Sequence, residues 1–173
     1  YKEMELSRAH ALEPPCLRNG FVTFGSFNHR LKVSPRVLAL WARILCELPD
    51  ARLVIMGVPL GPAQDRLIEH FTRAGIEAEG LTIVAPLSMN DYFPWFDRVD
   101  LALDSTPYSG GTTTCDTLWM GVPADTVTGQ RSVSRSAASM LATVGLADWV
   151  GTTHDEYVQL ALKFASDPAL LAR

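Results

Sequence analysis

Residues 101–123 contain the residue types that best support a binding site for an anion. The segment reads LALDSTPYSGGTTTCDTLWMGVP, an apolar strand followed by a glycine turn and a helix that begins on three threonines. The first turn of a helix leaves about four backbone N–H groups without partners and carries roughly half a positive charge. Gly110 and Gly111 let a ligand approach the backbone closely. A phosphate group fits these features, although an ordinary capped helix after a strand has the same composition.

Asp116 extends this candidate site, because it lies one helical turn beyond Thr112 and Thr113 on the same side of the helix. Its carboxylate is suited to accept hydrogen bonds from the hydroxyl groups of a ribose. A phosphate site next to a ribose site predicts a nucleotide ligand. The sequence has no G-x-G-x-x-G after its first strand and no G-x-x-x-x-G-K-[ST]. The absence of both fingerprints disfavours dehydrogenases and P-loop NTPases.

A second polar loop covers residues 27–35, which read FNHRLKVSP. It places Asn28, His29 and Lys32 after the first predicted strand, so two loops could converge on one diphosphate. Lys32 would be a point charge against phosphate oxygens, whereas the alternative for a loop lysine is solvated surface. Arg135, beyond the fifth predicted strand, is a further candidate.

Short apolar runs alternate with helical patterns along the chain. This alternation predicts an α/β fold with a Rossmann-like open, mainly parallel sheet and helices on both faces. Ligands bind such sheets at the carboxyl ends of the strands, where both candidate loops lie. Five strands are predicted at 21–27, 52–56, 81–85, 101–104 and 123–127, and six helices at 35–48, 62–73, 90–96, 112–120, 134–144 and 155–165.

Composition limits the classes of function. A formal net charge of −4 argues against binding to nucleic acid or to an anionic membrane, so an anion must be bound locally. The three cysteines form no CxxC pair and the four histidines are scattered, so neither a disulfide framework nor a metal cluster is predicted. This use of cysteine predicts a cytoplasmic setting. No apolar run approaches the roughly 20 residues that cross a bilayer.

The length of 173 residues, with 47% hydrophobic content, suits one domain. We expect residues 1–20 to be a lead-in and residues 21–173 to form one Rossmann-like, nucleotide-binding lobe. The chain begins at Tyr1 without an initiator Met and ends soon after residues 166–169, which read SDPA, a pattern typical of a helix start. We therefore expect this sequence to be a fragment of a longer chain.

Several segments, taken in order over about residues 14–168, resemble one family. They are FGSFN at 24–28, KVSP at 32–35, DSTPYSGGTTTCDTLWMGVP at 104–123, SR at 134–135 and EYV at 156–158. The chain resembles the O-GlcNAc transferase and SPINDLY family. The resemblance implies one lobe of a GT-B glycosyltransferase, the second Rossmann-like lobe, which holds most of the sugar-nucleotide donor. A first catalytic lobe and a TPR region would lie outside the chain.

The resemblance also implies residue roles. Lys32 would contact the donor diphosphate and favour departure of the nucleoside diphosphate, and Asn28 would hold its loop. No metal or other cofactor is implied, since the nucleotide sugar is a substrate and the acceptor is Ser or Thr of a polypeptide. The implied donor-binding residues are Asn28, Lys32, Ala85 at the base, Gly110, Gly111, Thr112, Thr113, Thr114 and Asp116 at the ribose, with His29 and Arg135 as further candidates.

Three positions depart from the animal enzyme of the family. Gly111 replaces a histidine, and Leu87 and Asn90 stand where a lysine and a histidine are expected. The first expectation for the donor is UDP-GlcNAc, with another UDP-sugar or GDP-fucose as alternatives. A nucleotide-sugar-binding or regulatory module without transferase activity and a structural interaction domain are the rival functions.

Several other residues are expected to be structural. Trp41, Trp119 and Leu118 fall on helical faces and are predicted to lie in the core. Cys115 is expected to be a small buried hydrophobe, and Asp104 is expected to brace its loop.

Overall fold

The computed structural model describes residues 13–171. Over this range no helix is long and apolar enough to cross a membrane. The strands are β1 (Thr23–Ser26), β2 (Arg52–Ile55), β3 (Leu81–Ile83), β4 (Leu101–Leu103), β5 (Ala124–Val127) and β6 (Val150–Gly151). The helices are α1 (Cys16–Asn19), α2 (Pro35–Glu47), α3 (Pro62–Arg73), α4 (Met89–Tyr92), α5 (Thr112–Trp119), α6 (Ser136–Thr143), α7 (His154–Ala165) and α8 (Pro168–Leu171).

Helix α2 shows how local sequence sets an element. The Ser34 hydroxyl accepts a hydrogen bond from the backbone N–H of Val37 at 3.2 Å, and Pro35 occupies the first helical position, where its missing N–H costs nothing. Trp41 and Ile44 follow at helical spacing and are fully buried. The capping signal and the apolar stripe agree, so the predicted helix is confirmed.

The sheet has the strand order β3-β2-β1-β4-β5-β6, and every pairing in it is parallel. The chain builds outward from β1 in one direction and then returns to place β4 on the other side of β1. The neighbouring strands β1 and β4 therefore form the point at which the direction of the sheet reverses, where α/β proteins bind ligands. The predicted Rossmann-like fold is confirmed.

Helices α2 and α7 pack together and are joined by a buried hydrogen bond. The Trp41 indole Nε1 donates to the Tyr157 hydroxyl at 2.9 Å. That hydroxyl donates in turn to the backbone carbonyl of Asp104 at 3.0 Å. Since Asp104 directly follows β4, this chain fixes the end of β4 to the core.

The prediction of five strands is wrong by one. β6 has only two residues, which pair with Thr126 and Val127 of β5. Two residues are too few to show an alternating or apolar pattern.

Two expectations about α5 are also wrong. Cys115 and Trp119 are both exposed, because they lie four residues apart on the outward side of the helix. The inward side consists of Thr114, Asp116 and Thr117, which are the buried residues of α5. Trp41 is fully buried as expected, and Leu118 is partly buried against the core.

The predicted lead-in lies partly outside the described residues, which begin at Glu13. Within it, α1 places Cys16 in the core. The backbone N–H groups of Cys16 and Thr23 each donate to the Asp100 carboxylate at 2.7 Å. Burial raises the pKa of Asp100, and the N–H donor of Thr23 opposes that rise. The domain boundary at residue 20 stays a prediction.

Candidate functional site

Three loops meet at the carboxyl ends of β1, β4 and β5. They cover residues 27–34, 104–111 and 128–135, and we call them the β1 loop, the β4 loop and the β5 loop. The Ser34 hydroxyl of the β1 loop donates to the carbonyl of Thr106 at 2.9 Å. The Ser109 N–H of the β4 loop donates to the carbonyl of Val133 at 2.9 Å. The β4 loop is thus bonded to both of its neighbours.

Asp104 is the centre of the β4 loop. Its Oδ1 accepts hydrogen bonds from Asn28 Nδ2 at 2.9 Å, from the Ser105 N–H at 2.8 Å and from the Gly110 N–H at 2.7 Å. Its Oδ2 accepts from the Thr126 hydroxyl at 2.6 Å. One buried carboxylate therefore ties together the β1 loop, β5 and both ends of its own loop. This geometry matches the bracing role expected of Asp104.

Two carboxyl groups are buried below this loop. Burial raises the pKa of Asp104, against the opposing effect of the Thr126 and Gly110 donors. Burial, together with the neighbouring Asp104 carboxylate, raises the pKa of Asp125 well above its ordinary value. Within the described residues the Asp125 carboxyl oxygens have no hydrogen-bond partner. Burial and the nearby Asp104 carboxylate thus both disfavour the ionised form of Asp125.

The first turn of α5 faces the β1 loop. The Thr113 hydroxyl donates to Asn28 Oδ1 at 3.0 Å, so its hydrogen is already committed. Thr114 is buried, whereas Thr112 is exposed. Among the described residues no side chain caps this helix. The exposed Thr112 hydroxyl and the backbone N–H groups of the first turn, which have no partner within the helix, are thus the candidate donors to a ligand.

Gly110 is required by packing at the start of this turn. A Cβ on Gly110 would lie 2.3 Å from Thr114 Oγ1 and 3.2 Å from Asp104 Oδ1. A Cβ on Gly111 would meet nothing within 4 Å. Close packing therefore explains Gly110, while Gly111 leaves open space beside the helix start.

Lys32 reaches from the β1 loop to the β4 loop. Its Nζ donates to the Ser109 carbonyl at 2.9 Å and lies 4.3 Å from the centroid of the Tyr108 ring. The structure thus brings the Lys32 ammonium to the loop that leads directly into α5. Sequence reasoning did not single out Tyr108 and Ser109, although both lie within the segment 104–123 that carries the resemblance.

The other predicted residues lie around this centre. Asp116 is buried and accepts a long hydrogen bond, 3.5 Å, from the Tyr92 hydroxyl. Ala85 follows β3, two strands away from β1. His29 is exposed and caps its own turn by accepting from the Leu31 N–H at 3.3 Å. Arg135 is exposed just before α6. Their predicted ligand contacts stay predictions.

Across residues 13–171, no group of three or more His, Cys, Asp or Glu side chains could hold a metal ion. Asp104 and Asp125 are enclosed by protein, and Asp104 uses its oxygens on protein donors. A metal-free reaction remains a prediction.

Comparison with known proteins finds relatives that are named as N-acetylglucosaminyltransferases. The chain is 42% identical over 161 residues to a protein of Petunia hybrida named "Probable UDP-N-acetylglucosamine--peptide N-acetylglucosaminyltransferase SPINDLY". The aligned region covers 91% of this chain and 17% of that protein. The protein of the same name from Arabidopsis thaliana is 40% identical, covering 92% of the chain and 18% of the relative. The chain thus spans less than a fifth of the length of these relatives.

Among solved structures, a mutant of the O-GlcNAc transferase of Thermobaculum terrenum superposes with a TM-score of 0.86 at 39% identity. The match covers 89% of this chain and 30% of that one. Residues 12–173 match the sequence profile of glycosyl transferase family 41. The chain belongs to glycosyl transferase family 41.

Proposed function

We propose that this chain is the donor-binding lobe of a protein O-glycosyltransferase that transfers a sugar from a nucleotide donor to Ser or Thr of a polypeptide. One observation carries the proposal: the Lys32 ammonium is held at the Ser109 carbonyl, beside the turn that opens α5. A cation and a helix start side by side are suited to the diphosphate of a nucleotide sugar. Family membership and the printed names of the relatives supply the reaction class.

The proposed chemistry is stabilisation of the leaving group. Negative charge on the diphosphate increases as the glycosidic bond breaks, and a fixed ammonium and fixed N–H groups stabilise that charge without reorganising. Lys32, the Thr112 hydroxyl and the backbone N–H groups of residues 112–114 fill these roles. Asn28 acts through Thr113, since it fixes the turn that carries those N–H groups.

The remaining contacts of the donor are assigned by the same proposal. Asp116 accepts from ribose hydroxyls, and Ala85 contacts the base through its backbone. UDP-GlcNAc is the proposed donor, because the relatives are named for it. A first catalytic lobe, a TPR region and a polypeptide acceptor complete the proposed enzyme in a longer protein. The proposed setting is the cytoplasm, and no metal takes part.

The test is calorimetric titration of UDP, GDP and their sugars into the catalytic region that contains this chain, followed by transfer assays with a peptide acceptor. We expect UDP-GlcNAc to bind and to be turned over in the presence of EDTA. Binding without turnover would support a regulatory module that lacks transferase activity. A preference for GDP-fucose would identify GDP-fucose as the donor in place of UDP-GlcNAc. The absence of any nucleotide binding would overturn the proposal.

Lys32→Met is the sharpest variant for the chemical role. It keeps the aliphatic stem and removes the charge, so kcat is expected to fall by about a hundredfold or more, with a smaller loss of donor affinity. Lys163→Met is the matched control, because Lys163 also lies near an aromatic ring, that of Phe164, but on α7. A kcat within threefold of wild type for Lys32→Met would refute the role.

Asp116→Ala tests the ribose contact in the same assays. Donor affinity is expected to fall by roughly 1.5–3 kcal/mol, the range for a hydrogen bond to a charged group. Equal affinity of the wild type for ribo- and 2′,3′-dideoxynucleotides would rule out this contact.

A further inference from the structure

The position of the Lys32 ammonium is set by a loop distant in sequence. Its own turn, Arg30–Lys32, is a single 3-10 turn capped by His29. Its Nζ instead contacts two consecutive residues of the β4 loop, the Ser109 carbonyl at 2.9 Å and the Tyr108 ring at 4.3 Å. The β4 loop, and not the β1 loop, therefore determines where this charge lies.

The backbone of Tyr108 and Ser109 is held on both sides. The Ser105 hydroxyl donates to the Tyr108 carbonyl at 2.7 Å. The N–H and the hydroxyl of Ser109 both donate to the Val133 carbonyl, at 2.9 and 3.0 Å. These bonds hold the backbone from which the Ser109 carbonyl and the Tyr108 ring reach the ammonium.

The groups that hold the Lys32 ammonium, a carbonyl and an aromatic ring, suit a lysine that also binds phosphate. An ammonium has three N–H donors; the carbonyl takes one, the ring face attracts the charge without bonding a specific hydrogen, and the remaining donors are left for phosphate oxygens. Between residues 13 and 171 no carboxylate forms an ion pair with Lys32. A carbonyl and a ring hold the lysine without cancelling its charge, which a carboxylate would do.

We propose that Tyr108 is a positioning residue, whose ring face holds the Lys32 ammonium in line with the first turn of α5. This inference rests on the proposed function, because it assigns to Tyr108 the placement of the charge that stabilises the leaving diphosphate. Tyr108 is 51% exposed, so the contact of its ring with Lys32 is not simply a consequence of core packing.

The test compares Tyr108→Leu with Tyr108→Phe in the full-length protein, using steady-state kinetics with donor and peptide acceptor. Tyr108→Leu removes the ring, and kcat is expected to fall roughly tenfold, with the KM for donor changed less than about threefold. Tyr108→Phe keeps the ring face and is expected to rescue most of kcat. In a Lys32→Met background, Tyr108→Leu should lower kcat no further, since the group that it positions is gone.

Phe21→Leu is the matched control, because it removes a ring from another cation, Arg52, at a centroid distance of 4.8 Å. Phe21 precedes β1 and lies at the opposite edge of the sheet, so this variant should match wild type in kcat. Because Tyr108 is half exposed, the melting temperatures of its variants should also stay near that of wild type.

A readout independent of activity is the NMR shift of the Lys32 ε-methylene group. The Tyr108 ring current should displace this signal upfield in wild type and in Tyr108→Phe, and the displacement should vanish in Tyr108→Leu. Its absence in wild type would overturn the contact itself.

The kinetic outcomes separate the two proposals. If Lys32→Met abolishes turnover while Tyr108→Leu matches wild type, the positioning role is wrong and the proposed function stands. If Tyr108→Leu and Tyr108→Phe lose kcat equally, the hydroxyl and not the ring face acts, which also contradicts the proposal. If Lys32→Met leaves kcat unchanged, the proposed role of Lys32 fails, and the role of Tyr108 fails with it.

Discussion

Replacing Asp104 by alanine should destabilise the protein severely, because its carboxylate satisfies four buried donors at once. An unsatisfied buried donor costs about 1–3 kcal/mol, and water entering the vacated space keeps each loss near the lower limit. At about 1 kcal/mol for each donor, Asp104→Ala should lower the free energy of unfolding by about 4 kcal/mol. Urea denaturation followed by tryptophan fluorescence measures this loss.

Asp104→Asn is the informative partner variant. Its amide oxygen can replace Oδ1 and accept from Asn28, Ser105 and Gly110, while its NH₂ can donate to Thr126, whose hydroxyl can turn to accept. The amide therefore mimics the protonated carboxyl group, and its cost should be about 1 kcal/mol or less. A loss for Asp104→Asn as large as that for Asp104→Ala would show that the negative charge, and not the set of hydrogen bonds, holds the loop. Equal stability of Asp104→Ala and wild type would refute the reasoning altogether.

Two further predictions concern the same part of the fold. Burial raises the pKa of Asp125 well above its ordinary value of 3.8, so the folded state binds the proton more tightly than the unfolded state does. Stability should therefore fall as the pH rises from about 4 towards the raised pKa, by up to roughly 1.4 kcal/mol per pH unit. Asp125→Asn should flatten this slope in urea titrations at a series of pH values above about 4, and an unchanged slope would contradict the assignment. Gly110→Ala should lower the free energy of unfolding by about 1–3 kcal/mol and weaken donor binding, because its Cβ would overlap Thr114. The control Gly80→Ala should do neither, since its Cβ would make only an ordinary 3.7 Å contact. Similar effects of the two variants would argue against a packing origin.

The sequence predicts most of the fold because its signals are local. Ser34 and Pro35 mark the start of α2 within one turn, and Pro62 with Gly75 brackets α3, for which the predicted bounds agree with the structure. β6 and α1 were missed, because elements of two and four residues show no periodicity.

The candidate site likewise has a part that the sequence predicts and a part that it does not. The glycine turn and the threonine helix are visible as a motif, and parallel topology predicts that the β1 and β4 loops share an edge. The bonds from Lys32 to Ser109, 77 residues apart, and from Thr113 to Asn28, 85 residues apart, depend on the register between strands. Register and side-chain direction are tertiary properties, so no local pattern indicates that the Thr113 hydroxyl is committed to Asn28 while Thr112 is exposed.

The inward side of α5, formed by Thr114, Asp116 and Thr117, has a consequence for motion. A helix that docks through threonine and aspartate side chains buries little apolar area, so separating it from the sheet costs less free energy than unfolding the core. Its backbone amides should therefore exchange with deuterium through a local opening, earlier than those of α2, whose inward side includes Trp41 and Ile44. A ligand bound at the first turn would slow exchange along α5 while leaving α2 unchanged. The helix at the proposed donor site would then also be the helix whose order depends on the bound ligand.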